Sequence, residues 1–310
     1  MEFDPAILSV EERVGFALRA LYHRCGYKQY RMRKFEEYEL YVRNKDFLLS
    51  PEVISFTDAD GKLLALKPDV TLSIVRSARP VEGQTLKLYY DENVYRIAKG
   101  SGGFRELRQV GLECLGAVDE EQIGEVLRLA CESLRVISSE SVLCLSHLGI
   151  VGACLDEAAL SDEGRKAALG FLAEKNAHEL RALCRAEHTS EDAAARLALL
   201  AECSGEPEAV LSRLREAGCE NDAVAEIGRI TASLRQSGIT RGLSLDFSVL
   251  GDMRYYNGVA FRGFVRGLPN SVVTGGQYDR LLRRMGKGGG AIGFACCLDA
   301  LERLERGSGI

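Results

Sequence analysis

The sequence predicts an α+β fold: a mostly antiparallel sheet flanked by helices and interrupted by a helical insertion. Three stretches carry this expectation. Residues 87–116 read as strand, glycine-rich loop and strand, with Tyr90, Val94 and Tyr95 in the first strand and a second strand from about Arg105 to Leu115. Residues 119–137 place Ile123, Val126, Leu127, Ala130, Leu134 and Ile137 at helical spacing, the pattern of an amphipathic helix that backs a sheet. Residues 155–237 shift to Ala, Leu, Glu and Arg, with breaks at Ser161, Ser190, Gly205-Glu206-Pro207 and Gly218. This fits about three to five helices inserted between two halves of the sheet domain.

In chain order, Ser9 and Glu12 form a capping box ahead of the apolar positions Val14, Ala17, Leu18 and Leu21, and Gly26 stops that helix. Tyr27 to Leu49 mixes aromatic and charged residues and fits a strand and loop. Asp60-Gly61 between Phe56 and Leu63 signals a two-residue hairpin. Asp69 and Thr71 fall where the next helix begins, and spacing alone fits a helix cap. In the strand after the central loop, Arg105, Leu107, Gln109, Gly111 and Glu113 share one face. A cation, an amide and a carboxylate there flank a glycine that leaves open space; the ordinary alternative is a solvated face.

Leu143 to Ile150 reads as a further strand, with His147 a structural histidine. Leu243, Leu245, Phe247 and Val249 alternate with polar residues as a half-buried strand. Asn257-Gly258 fits a turn or bulge feeding another strand. The glycines at 275, 276, 286, 288, 289, 290 and 293 match neither a Walker loop nor GxGxxG, so they are expected to allow close backbone approach before a closing helix from Leu298 to Glu305.

Composition narrows the function. With 310 residues and 46% hydrophobic content the chain can bury a sizeable core, and a net charge of -5 gives no overall basic field for nucleic acid. The cations at 27–49 are interleaved with Glu36, Glu37 and Glu39, which weighs against a nucleic-acid patch. Neither a signal peptide nor an apolar run of about 18 residues is present, so the expectation is a cytoplasmic chain with no membrane span. Ten cysteines without CxxC spacing read as free thiols. His23, His147, His178 and His188 lie far apart with no ligand partner nearby, so no metal and no cofactor is expected.

Two further strings join the central hairpin. Leu64 to Arg76 reads LALKPDVTLSIVR, and Asp252 to Phe261 reads DMRYYNGVAF, followed from Thr274 by TGGQYDRLLRRMGKGGGAIGFACCLDALERL. In this order they resemble the catalytic domain of histidyl-tRNA synthetase, a class II aminoacyl-tRNA synthetase, over nearly the whole chain outside its middle. The resemblance implies a sheet of about six or seven strands and a dimer formed in part by the region 27–49. It also implies a histidine pocket. Asp69 and Thr71 would grip the α-ammonium, Tyr255 and Tyr256 would wall the pocket, and Tyr256 with Glu113 would hold the imidazole. Gln109 and Arg96 match the same set, and Arg105 is a candidate anion contact. A carboxylate and a hydroxyl can satisfy an ammonium through charge-assisted hydrogen bonds, which makes the first role physically reasonable.

The departures fall on the activation machinery. Gly251 stands where the synthetase has an arginine, Ala300 stands at the arginine of the last class motif, and Ala98 replaces the glutamate that follows Arg96. Activation needs cations where negative charge develops, so these losses imply a chain that does not adenylate histidine. The sequence stops at Ile310, which leaves no room for an anticodon-binding domain and implies no tRNA. This combination resembles the regulatory subunits of ATP phosphoribosyltransferase, non-catalytic synthetase paralogues. Residues 1–154 and 238–310 would then form the synthetase-like domain and 155–237 the insertion. The resemblance further implies a homodimer, assembly with the short catalytic subunit as a hetero-octamer, activation of that subunit, and L-histidine as feedback effector. The alternative is a truncated histidine-activating ligase. Phosphoribosyl transfer through Thr274-Gly275-Gly276 lacks the strand ending in paired acids that such enzymes use.

Overall fold

The computed structural model describes residues 7–45, 53–97, 103–251, 253 and 255–301. Ala98 and residues 302–305 of the expected closing helix lie outside them. Helix α1 (Val10–Arg24) starts at the predicted capping box, with Ser9 Oγ accepting from Glu12 N–H and Glu12 accepting from Ser9 N–H. It is followed by strands β1 (Lys28–Gln29) and β2 (Phe35–Glu37), helix α2 (Tyr38–Arg43), strands β3 (Ser55–Thr57) and β4 (Leu63–Leu66), and helix α3 (Thr71–Ser77). The central hairpin pairs β5 (Thr85–Ile97) with β6 (Phe104–Gly116) and leads into α4 (Glu120–Ile137) and β7 (Ser141–His147). Helices α5 (Leu148–Glu157), α6 (Asp162–Ala173), α7 (Ala177–Ala186) and α8 (Glu191–Glu202) come next. A short strand β8 (Ser204–Gly205) separates them from α9 (Pro207–Glu216) and α10 (Asp222–Gln236). The last part runs β9 (Leu243–Asp246), β10 (Val259–Val265), β11 (Val273–Gln277), α11 (Asp279–Arg284) and β12 (Gly290–Cys297).

Among the described residues the main sheet has nine strands in the order β1-β5-β6-β12-β11-β10-β7-β9-β8. Two are two-residue edge strands; the seven others match the expected size. Only β1 with β5 and β7 with β9 pair parallel. The centre is therefore antiparallel, as predicted. Side chains alternate across β6, so Val110, Leu112 and Cys114 turn to one face and Gln109, Gly111 and Glu113 to the other. The first face is covered by helices. Tyr22 of α1 sets its ring edge-on to Phe294, 5.9 Å away, and its hydroxyl lies 2.9 Å from Ser133 Oγ of α4. Phe294 pairs directly with Leu112 in the ladder, which puts both on the helix-covered side.

A second sheet, β2-β4-β3, carries the chain toward α3. Two carboxylates fix it, Glu36 buried and Glu92 partly buried. The Lys67 ammonium, 2% exposed, pairs with Glu92 of β5, whose other oxygen accepts from Met32 N–H at 3.0 Å. Glu36 pairs with Arg76 and accepts from Ser73 Oγ at 3.0 Å. These contacts hold the 67–71 segment against the hairpin, which decides where Asp69 and Thr71 point.

Four expectations need correction. The connection at Asp60-Gly61 spans residues 58–62, because Asp58 N–H reaches Lys62 O and the Asp58 carboxylate accepts from Asp60 and Lys62 N–H. The strand expected from Leu143 to Ile150 ends at His147, whose Nδ1 accepts from Gly149 N–H at 3.1 Å and caps α5. Leu148, Val151 and Leu155 recur at helical spacing there, a period hidden inside a continuous apolar run. The helical run between β7 and β9 thus begins at Leu148. Thirdly, Gly111 does not leave open space: a Cβ built on it would lie 2.5 Å from the Tyr90 hydroxyl and 2.3 Å from Phe294 O. Tyr90, its partner across the ladder, fills that room. Finally, the strand expected through Val249 ends at Asp246, whose Oδ1 accepts from Ser248 N–H at 3.0 Å, and α11, which begins at the Asp of QYD, is unannounced by the sequence. All ten cysteines are free, and no helix among the described residues is long and apolar enough to cross a membrane.

Candidate functional site

A cavity of about 230 Å³ opens on the sheet face opposite the helices. Asp69, Thr71, Arg96, Gln109, Glu113, Tyr255 and Tyr256 all line it, together with Tyr90, Tyr278 and the backbone of β12 at Gly293–Ala295. Residues from six separate stretches of sequence therefore meet in one place. The volume suits one amino-acid-sized ligand and falls below the ~300–1,000 Å³ of sites for drug-sized molecules.

Glu113 lies at the floor and is 1% exposed. Its Oε1 accepts from Thr71 Oγ1 at 2.6 Å and its Oε2 from the Tyr278 hydroxyl. No ion pair to Glu113 occurs among the described residues. Burial pushes its carboxyl up to about 8; the two hydroxyls work against this, and the Asp69 charge adds to it. The strand opposite makes room for it. Gly293 faces Glu113 in the β6–β12 ladder, and a Cβ at 293 would lie 1.7 Å from Glu113 Oε2. Only glycine admits a carboxylate at this point of a packed sheet.

Asp69 is buried at the entry of α3, where its Oδ1 accepts from Leu72 N–H at 2.8 Å. The capping role and the cavity role thus coexist in one carboxylate. Burial raises its proton affinity, offset by the Leu72 N–H and by the Arg96 charge. Arg96 donates from Nε to Pro68 O at 3.2 Å, while its buried Nη2 has no hydrogen-bond partner among the described residues. A guanidinium nitrogen held in this way is ready for an anionic group of a ligand, since leaving it unpaired is costly. Tyr255 packs edge-on against Tyr256 at 4.6 Å and tilts over Tyr278 at 5.6 Å.

The structure amends the site expected from sequence in two ways. Tyr278, in the QYD string, is a functional candidate that sequence reasoning missed. It supplies the hydroxyl on Glu113, while Tyr256 forms a wall. Its one sequence signal is position: it directly follows β11, and its N–H continues the ladder to Ala291 O. Arg105 is exposed and lies outside the lining. It shares the Gln109 face, but four residues of extended strand separate them by about 13 Å. Of the three positions where the resemblance puts activation residues, Gly251 has a φ of +59° and abuts Tyr256, and Ala300 packs partly buried against the core. Ala98 is outside the described residues.

Two larger depressions lack this chemistry. One, of about 520 Å³, holds Lys287, but its ammonium already donates to the carbonyls of Val75, Arg76 and Ala78 at the end of α3. The other, an open cleft of about 790 Å³, holds Glu36 and Glu37, which are paired with Arg76 and Lys62. At Glu113, by contrast, buried polar groups face unfilled space.

The Glu113 environment sets a pH dependence. Unfolded, the carboxyl loses its proton near its ordinary value of 4.5; folded, it does so at about 8. The unfolded state therefore releases the proton first as pH rises. Glu113 imposes no penalty below about pH 4.5, a growing one up to about pH 8, and a constant one above. Glu113→Gln stays neutral, so its stability relative to the parent is expected to rise across that window and level off beyond it. Urea unfolding at several pH values checks this, and a pH-independent difference would mean that Glu113 titrates at its ordinary value.

Comparison with known proteins gives one family. The histidyl-tRNA synthetase profile matches residues 1–301. The ATP phosphoribosyltransferase regulatory subunit of Caldanaerobacter subterraneus is 30% identical over 99% of this chain and 82% of its own length. The protein of the same description from an Anaeromyxobacter species is 32% identical over 94% of this chain and 88% of its own. A crystal structure from Bacillus halodurans, described as an ATP phosphoribosyltransferase regulatory subunit/histidyl-tRNA synthetase, superposes with a TM-score of 0.83 at 26% identity, covering 97% of this chain and 80% of that one. A catalytic-domain sheet of the class II type, with the expected residues gathered around one amino-acid-sized cavity, accompanies these likenesses: the chain belongs to the histidyl-tRNA synthetase family, in the branch of the ATP phosphoribosyltransferase regulatory subunits.

Proposed function

We propose that this chain is a non-catalytic regulatory subunit of ATP phosphoribosyltransferase, the enzyme that joins ATP to phosphoribosyl pyrophosphate at the first step of histidine synthesis, and that L-histidine is its effector. The observation that carries the ligand is the pairing within one cavity of a buried carboxylate, Glu113, and a buried guanidinium nitrogen, Arg96 Nη2, the first without a cation and the second without a partner among the described residues. A zwitterionic amino acid with an imidazole side chain answers both. Its α-carboxylate meets Arg96, its α-ammonium meets Asp69, Thr71 and Gln109, and its ring N–H meets Glu113 between the walls Tyr255 and Tyr256. The regulatory role is supported by the relatives' descriptions.

In this reading residues 1–154 and 238–310 form the synthetase-like domain and 155–237 an inserted helical unit. The chain works in the cytoplasm as a homodimer joined to the short catalytic subunit in a hetero-octamer, without tRNA. Histidine inhibits because it binds the inhibited conformation more tightly than the active one, and a coupling of about 1–3 kcal/mol is typical of such effectors. Adenylation is lost because small residues occupy the cation positions: an arginine at 251 would start from a left-handed backbone and a Cβ 2.6 Å from the Tyr256 ring.

Glu113→Ala is expected to abolish inhibition of the partner's phosphoribosyl transfer by histidine while this chain still activates the partner. Inhibition unchanged from the parent would place the effector site elsewhere. The retained Arg96 favours a second reading, a ligase that still activates histidine. Histidine-dependent exchange of pyrophosphate into ATP separates the two: the proposal expects none above background, and exchange that depends on Arg96 would establish the ligase.

A further inference from the structure

The wall residue Tyr256 is held by its two edges between glycines. A Cβ built on Gly251 would lie 2.6 Å from Tyr256 Cδ2 and 3.0 Å from Cε2, and one on Gly276 would lie 2.6 Å from Cδ1 and 2.9 Å from Cε1. Real Cβ atoms essentially never approach closer than 3.0 Å. The ring of Tyr255 closes from the side, edge-on at 4.6 Å and 85°. Tyr256 is 6% exposed and lines the cavity. A side chain at position 251 therefore displaces a wall of a cavity of only about 230 Å³. Gly276 sits within β11, where it pairs with Ala260 of β10, so that seat is fixed by the sheet. Gly251 lies in the segment leading to Tyr255, with a φ of +59° that L side chains rarely adopt.

We propose that Gly251 is a positioning residue for the ligand pocket: by carrying no side chain it seats Tyr256 against Gly276 and so sizes the cavity for one amino acid. The family resemblance puts an arginine at this position. The inference rests on the reading that the pocket takes histidine, but the seat itself can be observed without ligand.

Two variants separate sterics from backbone strain. Asparagine tolerates the left-handed region and alanine does not, yet both place a Cβ at the same point. If strain governed, Gly251→Asn would be spared; if the Tyr256 seat governs, both suffer alike. Gly238→Asn is the control, since Gly238 has a φ of +88° and nothing within 4 Å of its Cβ position. Histidine affinity is measured by calorimetry. The ligand-free chain with ¹³C-labelled tyrosine is followed by NMR, the Tyr256 signals being assigned by their loss in Tyr256→Phe. Gly251→Asn and Gly251→Ala are both expected to weaken histidine binding by about tenfold or more, as overpacking does, and to shift the Tyr256 ring signals; Gly238→Asn changes neither. A Gly251→Asn chain that binds histidine within about twofold of the parent, or leaves the Tyr256 signals in place, overturns the proposal. A parent chain that binds no histidine overturns the ligand reading, and the Tyr256 signals then still decide whether Gly251 seats the ring.

Discussion

A carboxylate buried without a cation at the centre of an antiparallel sheet is the constraint around which this molecule is built. Water cannot solvate Glu113, and no lysine or arginine compensates it among the described residues. Its stability rests on two hydroxyls, one from the start of α3 and one from the end of β11. Both donors come from outside β6, so the helix entry at Thr71 and the strand end at Tyr278 must dock correctly before the group is satisfied. The docking is enforced further out by the Lys67–Glu92 and Glu36–Arg76 pairs. A half-satisfied buried network is worse than an apolar core, so such a site persists only where the fold holds every member.

The same constraint explains the glycines along β11 and β12. A sheet that accommodates a carboxylate, a tyrosine wall and a cavity on one face must give up side chains on neighbouring strands. Gly293 yields to Glu113, and Gly276 yields to Tyr256. The opposite face needs no such concession and is filled in the ordinary way, by Tyr22, Leu112, Phe294 and the apolar side of α4. Of the residues proposed to hold histidine, Asp69 and Thr71 sit at the α3 entry and Arg96, Gln109 and Glu113 on the central hairpin, whereas Tyr255 and Tyr256 lie in the segment before β10.

Much of this was legible in the sequence. Helices announced by caps and apolar period, α1 at Ser9 and α4 at Asp119, lie where their signals put them, because local hydrogen bonds decide helix ends. The alternation along β6 correctly put Gln109 and Glu113 on one face. The seven residues expected around histidine do line one cavity, although periodicity alone assigned none of them; their grouping came from the family resemblance. The failures have a common cause, which is that contacts between distant strands leave no local trace. Tyr278 could not be connected to Glu113, 165 residues away. Gly111 looked like open space because its filler, Tyr90, lies on another strand. Arg105 shared a face with the site yet stood too far along the strand. At His147 an apolar run masked the change from strand to helix.

The central claim is that this chain senses histidine on behalf of another subunit. It is tested most directly by the phosphoribosyl transfer rate of a short catalytic subunit from the same source, measured with and without this chain and with and without histidine. The account expects a rate that rises when the chain is added and falls again with histidine. A rate indifferent to the chain, with no co-elution of the two proteins, would contradict it.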